Sequence, residues 1–427
     1  MTTAISRRDW LRFAAAAPLL PLSPWMLPRI ASANAPAAQA KGKACILLFM
    51  NGGMNQHASW HVPKMEYPRD NVRPIMTTVP GIEISELFPR IASQMRHIAL
   101  LRSMSTGVTI HEQGNTLMHT GYLPNPSIQR PAIGNLGSAQ LGNPAADLPN
   151  FVHIFGGSTG QNSSPAHVCM PGYLPASNAP VNVTDPGSGL NFLSRSAETP
   201  VFDASARLLE RFNQNFQSEA PSPAAAAHQA VVQKTLQLLD SNRSEAFDIR
   251  REPLITRERY GNSDFGRACL LARRLVENHV PFVEVVMNGL DDHGGPRPML
   301  PRAPIIDQAI SGLLADLDQR GMHESTLVVC LSEFGRPGPG IVTGAGFGHY
   351  ARCWTSWLAG GGIRGGQVIG KTDDAGGEVT ERPIDAPTLH ATICTALGMD
   401  YRREYTTAGG RPITFLDPAT RPIAEVL

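Results

Sequence analysis

Short apolar runs alternating with helical periodicities leave this chain little choice of architecture. ACILLFM (44–50) is a continuous apolar run halted by Asn51-Gly52-Gly53, the pattern of a strand buried on both faces. IALLRSM (98–104), PFVEVVMNGL (281–290), TLVVCLS (326–332) and WTSWLAGGG (354–362) also read as strands. Ser263-Asp264 caps a helix running to about Asn278, and the last helix begins near Asp385-Ala386-Pro387 and stops at Gly398. Between them Pro304 opens a helix whose Ile305, Ile306, Ala309, Ile310, Leu313, Leu314 and Leu317 recur at helical spacing until Gly321. Alternating elements of this kind predict an α/β fold, a doubly wound and mostly parallel sheet flanked by helices.

The first half is punctuated less clearly. Ile82 to Ser103 holds a helical stretch, with Leu87, Ile91, Met95 and Ile98 on its apolar side, before the IALLRSM strand. From Thr106 to about Pro200 the chain is rich in Gly, Pro, Asn and Ser, with short strands such as FVHIF. This reads as a loop-rich excursion at about 106–200 covering one face. Ala224 to Leu239 is a helix by composition.

SRRDWLR (6–12) matches the twin-arginine export pattern, with Arg7 and Arg8 followed by Trp10 and Leu11. The apolar run from Phe13 to Leu27 is broken by Pro18, Pro21 and Pro24 and is shorter than the ~20 residues of a membrane span. Small-residue cleavage sites follow at Ala31-Ser32-Ala33 and Ala38-Gln39-Ala40. Residues 1–33 are therefore expected to be a signal peptide, the export machinery a partner, and 34–427 a single α/β domain, periplasmic or secreted, with no membrane span. A net charge of +1 argues against a nucleic-acid partner, which needs a clustered basic surface. Of the six cysteines, Cys45, Cys330 and Cys394 sit inside apolar segments, as buried free thiols do. One disulfide stays open as a reading; a disulfide scaffold does not.

Open parallel sheets bind ligands beyond the carboxyl ends of their strands. The residues just past those ends are Asn51, Asp291, Asp292, His293 and Glu333, with His349 in the adjoining Gly-rich loop. Carboxylate and imidazole together suit zinc, manganese or iron, and carboxylates alone suit calcium or magnesium. The expected cofactor is a divalent metal ion, with zinc, manganese and calcium as candidates. Each residue also has a plain reading: Asp291 capping a turn, or Glu333 paired with Arg336 three residues on. His111 and His119, eight apart in HEQGNTLMHTG, would lie roughly on one helix face, as a packed pair or a functional one.

YGNSDFGRACLLARRLVE, GLDDH, TLVVCLSEFGR, GFGHY, LAGGGIRGG and PTLHATICTALGMD, with VPGIEISELFPRIA and LLRSM earlier, resemble the bacterial "domain of unknown function 1501" family. The resemblance covers essentially the whole chain after the signal. That family is regarded as a divergent relative of the alkaline phosphatase and sulfatase superfamily, which implies an alkaline-phosphatase-like core with metal ligands at the strand ends. On that pattern Asp291, His293, Glu333 and His349 are metal positions, and His111 stands at the superfamily's Ser or Thr nucleophile, upstream of Thr120-Gly121. Asn51 replaces a metal-binding Asp, Phe334 replaces a His, and Ala58 and His61 stand where relatives carry aspartates.

The resemblance thus implies a metal-dependent hydrolase of phosphate or sulfate esters. One metal site remains, His111 serves as general acid or base, and Asn51 and Arg336 bind an anionic substrate. The alternative is a catalytically degenerate member that binds an anionic glycan or another exported protein. A metal carrier fits poorly, because no Met-rich or His-rich tract is present.

Overall fold

The computed structural model describes residues 42–67, 71–156, 169–188, 211, 242–341, 347–407 and 409–427. The expected signal peptide and the helix expected over 224–239 lie outside the described residues.

Eight strands share one sheet: β1 (Ala44–Met50), β2 (Ile98–Met104), β3 (Phe151–Phe155), β4 (Val181–Val183), β5 (Phe282–Met287), β6 (Thr326–Leu331), β7 (Trp354–Gly360) and β8 (Gln367–Ile369). Their order is β8-β2-β7-β6-β1-β5-β3-β4. β1 pairs in parallel with β5 on one side and β6 on the other, so Leu47 stands between Glu284 and Val329. Only β7 runs against its neighbours; the other strands point one way. The carboxyl ends of β5, β1 and β6 therefore lie side by side.

Because β1 is covered on both faces, its alternate side chains enter two different cores. Ile46, Leu48 and Met50 join one with Phe265 and Leu271 of α3 (Asp264–Glu277) and Ile306 and Ile310 of α4 (Ala303–Gln319). Cys45, Leu47 and Phe49 join the other with α1 (His111–Thr120), α2 (Ile133–Leu141) and α5 (Ala386–Leu397). Each fully buried Leu, Ile or Val contributes about 1.5–3 kcal/mol of transfer free energy, which makes this sheet the mechanical frame of the molecule. The expected caps are present. Ser263 accepts from the Gly266 N–H, Asp385 accepts from the Thr388 N–H, and Gly398 ends α5 at φ 72°.

Two regions depart from expectation. The helix anticipated within Ile82–Ser103 shrinks to one turn, Pro89–Ala92, and a 3-10 turn, Met95–His97. Glu83–Ser85 is drawn into a hairpin with Pro74–Met76, and Ile98 already belongs to β2, so too few residues remain for a longer helix. The segment expected to be loop-rich supplies α1, α2, β3 and β4 within its described residues. All six cysteines are free and buried. Among the described residues no helix is long and apolar enough to cross a membrane.

Candidate active site at the strand ends

The chain leaves β1 through a turn that only glycine can make. Gly52 has φ 122°, and a Cβ there would sit 2.3 Å from the Asp291 nitrogen. That close approach brings the ends of β1 and β5 together and leaves the Gly52 N–H free to donate to Glu333 Oε1 at 2.8 Å. Glu333, just past β6, is fully buried; its other oxygen accepts from the Ser332 hydroxyl at 3.0 Å. α1 then presses its first turn onto this edge, since a Cβ at Gly114 would already touch the Glu333 Cβ at 3.1 Å.

His111, the first residue of α1, lands between two carboxylates. Its Nδ1 lies 2.6 Å from Glu333 Oε1 and its Nε2 3.3 Å from Asp291 Oδ1. The same Asp291 oxygen meets His293 Nε2 at 3.0 Å, His349 Nε2 at 3.1 Å and Arg336 Nη2 at 2.6 Å. His349 Nδ1 lies 2.7 Å from the Thr109 carbonyl, so it carries the proton there and turns its Nε2 lone pair inward. Phe334 stacks on the His349 ring at 4.5 Å between centroids and holds its plane. Burial disfavours protonation of His111, but the Glu333 hydrogen bond and the charges of Glu333 and Asp291 outweigh it and raise its pKa. His349 is shifted down, chiefly by burial.

His111, Asp291 and His349 offer donor atoms that all lie within 4.8 Å of one another, a spacing that fits a single cation. The outer nitrogens of both imidazoles are held by an acceptor, which is how metal-ligating histidines are oriented. His293, exposed, flanks this group. Glu333 stands behind it, its oxygens engaged by Gly52, His111 and Ser332, and so orients His111 where a metal ligand was expected. His111, expected to move protons, is itself one of the grouped donors.

The two residues expected to bind substrate do not reach the surface of the site. Arg336 is fully buried and spends its guanidinium on the Gly53, Gly52 and Phe347 carbonyls as well as on Asp291. It is a strut between β1, β5 and the loop before His349. Asn51 is buried too, donating to Asn288 Oδ1 at 2.8 Å. Asp292 turns away to Arg302, 3.1 Å from its Nη1.

The other imidazole of α1 was left open by the sequence. His119 packs two turns further along, against Glu284 in the middle of β5, with Cys169 and His153 beside it. The sequence signals for this second cluster are Glu284 inside the otherwise apolar FVEVVM, His153 inside FVHIF and His119 on α1.

A family model described as "Protein of unknown function (DUF1501)" matches residues 42–427. Among solved structures the chain is similar to the PsFucS1 sulfatase from Pseudoalteromonas sp., at 13% identity and a TM-score of 0.38 over 83% of this chain and 68% of that one. It is similar to alkaline phosphatase from the Antarctic bacterium TAB5, at 16% identity and a TM-score of 0.37 over 75% of this chain and 92% of that one. The lipoteichoic acid synthase LtaP from Listeria monocytogenes shows 9% identity and a TM-score of 0.38 over 88% and 75%. No curated protein matches the chain.

Proposed function

The chain belongs to the family of unknown function DUF1501, and on that premise we propose that it is a divalent-metal-dependent hydrolase of phosphate or sulfate esters, acting outside the cytoplasm after twin-arginine export. One observation carries the reading: three imidazole Nε2 atoms converge on Asp291 Oδ1 at 3.0–3.3 Å, and two of those rings have their other nitrogen engaged by Thr109 and Glu333. A neutral imidazole presenting a lone pair to a carboxylate oxygen is repelled unless a proton or a cation lies between them. His111, Asp291 and His349 would hold that cation, with His293 beside them.

A divalent ion there would polarise an ester oxygen and make water nucleophilic at neutral pH. The protein's own part is positional. Glu333 fixes the His111 ring, the Thr109 carbonyl and Phe334 fix that of His349, and Arg336 locks Asp291 to the turn after β1. Exposed His293 is the group able to pass a proton to a departing alkoxide. The donor set of two imidazoles and a carboxylate favours zinc or manganese over calcium.

Arg336 also supports a second reading. A guanidinium 2.6 Å from Asp291 Oδ1 satisfies that carboxylate without any metal, as expected of a member that only binds an anionic glycan or an exported protein. Elemental analysis of the folded protein beside Asp291→Ala, with turnover of aryl phosphate and aryl sulfate, separates the two. Loss of both an ion and turnover in the variant supports the hydrolase. Equal metal content in the two proteins, or turnover indifferent to chelator, overturns it.

A further inference from the structure

The cluster inside the sheet is built for an ion of its own. Glu284 lies at the centre of β5, fully buried, where an unpaired carboxylate would cost several kcal/mol. Its Oε1 is 2.8 Å from His119 Nε2, and its Oε2 is 3.2 Å from Cys169 Sγ and 3.6 Å from His153 Nδ1. His153 Nδ1 is 3.7 Å from the Cys169 sulfur. All four residues are buried.

The His119 and Cys169 contacts to Glu284 are of hydrogen-bond length, whereas the two contacts of His153 are longer and match the donor spacing around a metal ion. A good N–H···O bond spans about 2.7–3.2 Å, so His153 faces the cluster without making one to Glu284. Its Nε2 is buried with no hydrogen-bond partner, while its Nδ1 meets the Cys169 sulfur. Around a tetrahedral zinc, with bonds of about 2.0–2.3 Å, neighbouring donors stand roughly 3.3–3.8 Å apart. The donors of His119, Cys169 and Glu284 lie within 4.8 Å of one another. His119 Nδ1 lies 2.7 Å from the Asn115 carbonyl, which directs Nε2 into the cluster as a ligand.

We propose that His119 Nε2, Cys169 Sγ and a Glu284 oxygen bind one zinc-class divalent cation as a closed, structural site, with His153 Nδ1 beside them. Burial makes it closed, and thiolate sulfur, imidazole nitrogen and carboxylate oxygen are all zinc ligand types. The thiol and the His119 imidazolium each give up a proton to solvent as the ion enters, so binding strengthens with pH. The site ties β3, β5 and the segment at Cys169 to α1, whose first residue is His111, and so braces the helix that completes the strand-end site.

Sulfur distinguishes this site from the strand-end group, which has none. The full chain should be produced in cobalt-supplemented minimal medium and its near-ultraviolet spectrum recorded beside Cys169→Ser and Asp291→Ala. The expected result is a thiolate-to-cobalt charge-transfer band in the wild type, kept in Asp291→Ala and lost in Cys169→Ser, with about one ion per chain fewer in the latter. A folded wild type with no such band overturns the proposal, as does a band that survives Cys169→Ser. Should the serine variant fail to fold, the wild-type spectrum alone decides. Failure here leaves the hydrolase reading standing, because that reading is tested by Asp291→Ala and ester turnover.

Discussion

α1 carries two histidines that meet two very different environments. At its first turn His111 faces the partly open edge of the sheet, where Asp291 collects three imidazoles and a guanidinium. Two turns on, His119 enters the closed interior and pairs with Glu284. Both imidazoles are raised in pKa by a carboxylate against the pull of burial. The open cluster is reached by solvent, whereas every member of the closed one is buried. Residue type alone does not separate a working site from a brace, whereas access to water does.

The contrast is broken most directly at Glu284. Removing one member of a buried charged pair strands the other, so Glu284→Ala should lose about 3–5 kcal/mol in urea unfolding; Asp291→Ala should lose less, because the Arg336 guanidinium it strands keeps the Gly53, Gly52 and Phe347 carbonyls. Equal losses would mean that the two clusters are alike in role.

Acid and base sharpen the comparison next. In chelated protein, burial holds His57 and His390 at about 4, so as pH falls below the ordinary histidine range the unfolded chain takes up protons that the fold refuses. Their stabilisation is complete above about 6.5 and is lost toward 4, on the order of 3 kcal/mol each. His119 has the opposite sign. Its contribution is present below 6.5 and fades as pH rises through its raised pKa. Unfolding curves from pH 4 to 9 should therefore show a stability maximum between the two effects, and added zinc should abolish the alkaline decline.

Gly52→Ala should cost about 1–3 kcal/mol, since the left-handed backbone and the 2.3 Å approach to Asp291 both forbid a side chain. It should also disrupt the open site while leaving the cobalt–thiolate band of the closed one. Glu333→Gln should weaken metal binding at the open site by about 10–100-fold, read by competitive titration, because Glu333 orients His111 without being one of the grouped donors. Smallest in stability and largest in function is Asp291→Asn, expected to change unfolding free energy by under about 1 kcal/mol and to abolish ester turnover.

Local pattern was enough for much of this. The runs ACILLFM, TLVVCLS and FVEVVM are β1, β6 and β5 because uninterrupted apolar residues tolerate burial on both faces, and Ser263, Pro304, Asp385 and Gly398 mark helix ends because capping is a short-range bargain. Those same strand ends pointed to Asp291, His293, Glu333 and His349 as a set. What they could not convey was the division of labour within it. Arg336 and Asn51 looked available for substrate and are buried, and Glu333 looked like a ligand and is engaged by Gly52, His111 and Ser332.

The sequence by itself determined an α/β sheet with chemistry-bearing residues at one edge, because strand and helix periodicities and glycine turns are written over a few consecutive residues. Only the tertiary structure decided which donors share a point in space. Setting β1 between β5 and β6 brings Gly52 to Asp291 and to Glu333, the latter 281 residues away in sequence, and the close packing of α1 then delivers His111 to one cluster and His119 to the other. That convergence follows from strand order and register, which depend on how the whole core packs and leave no mark in any short stretch of chain.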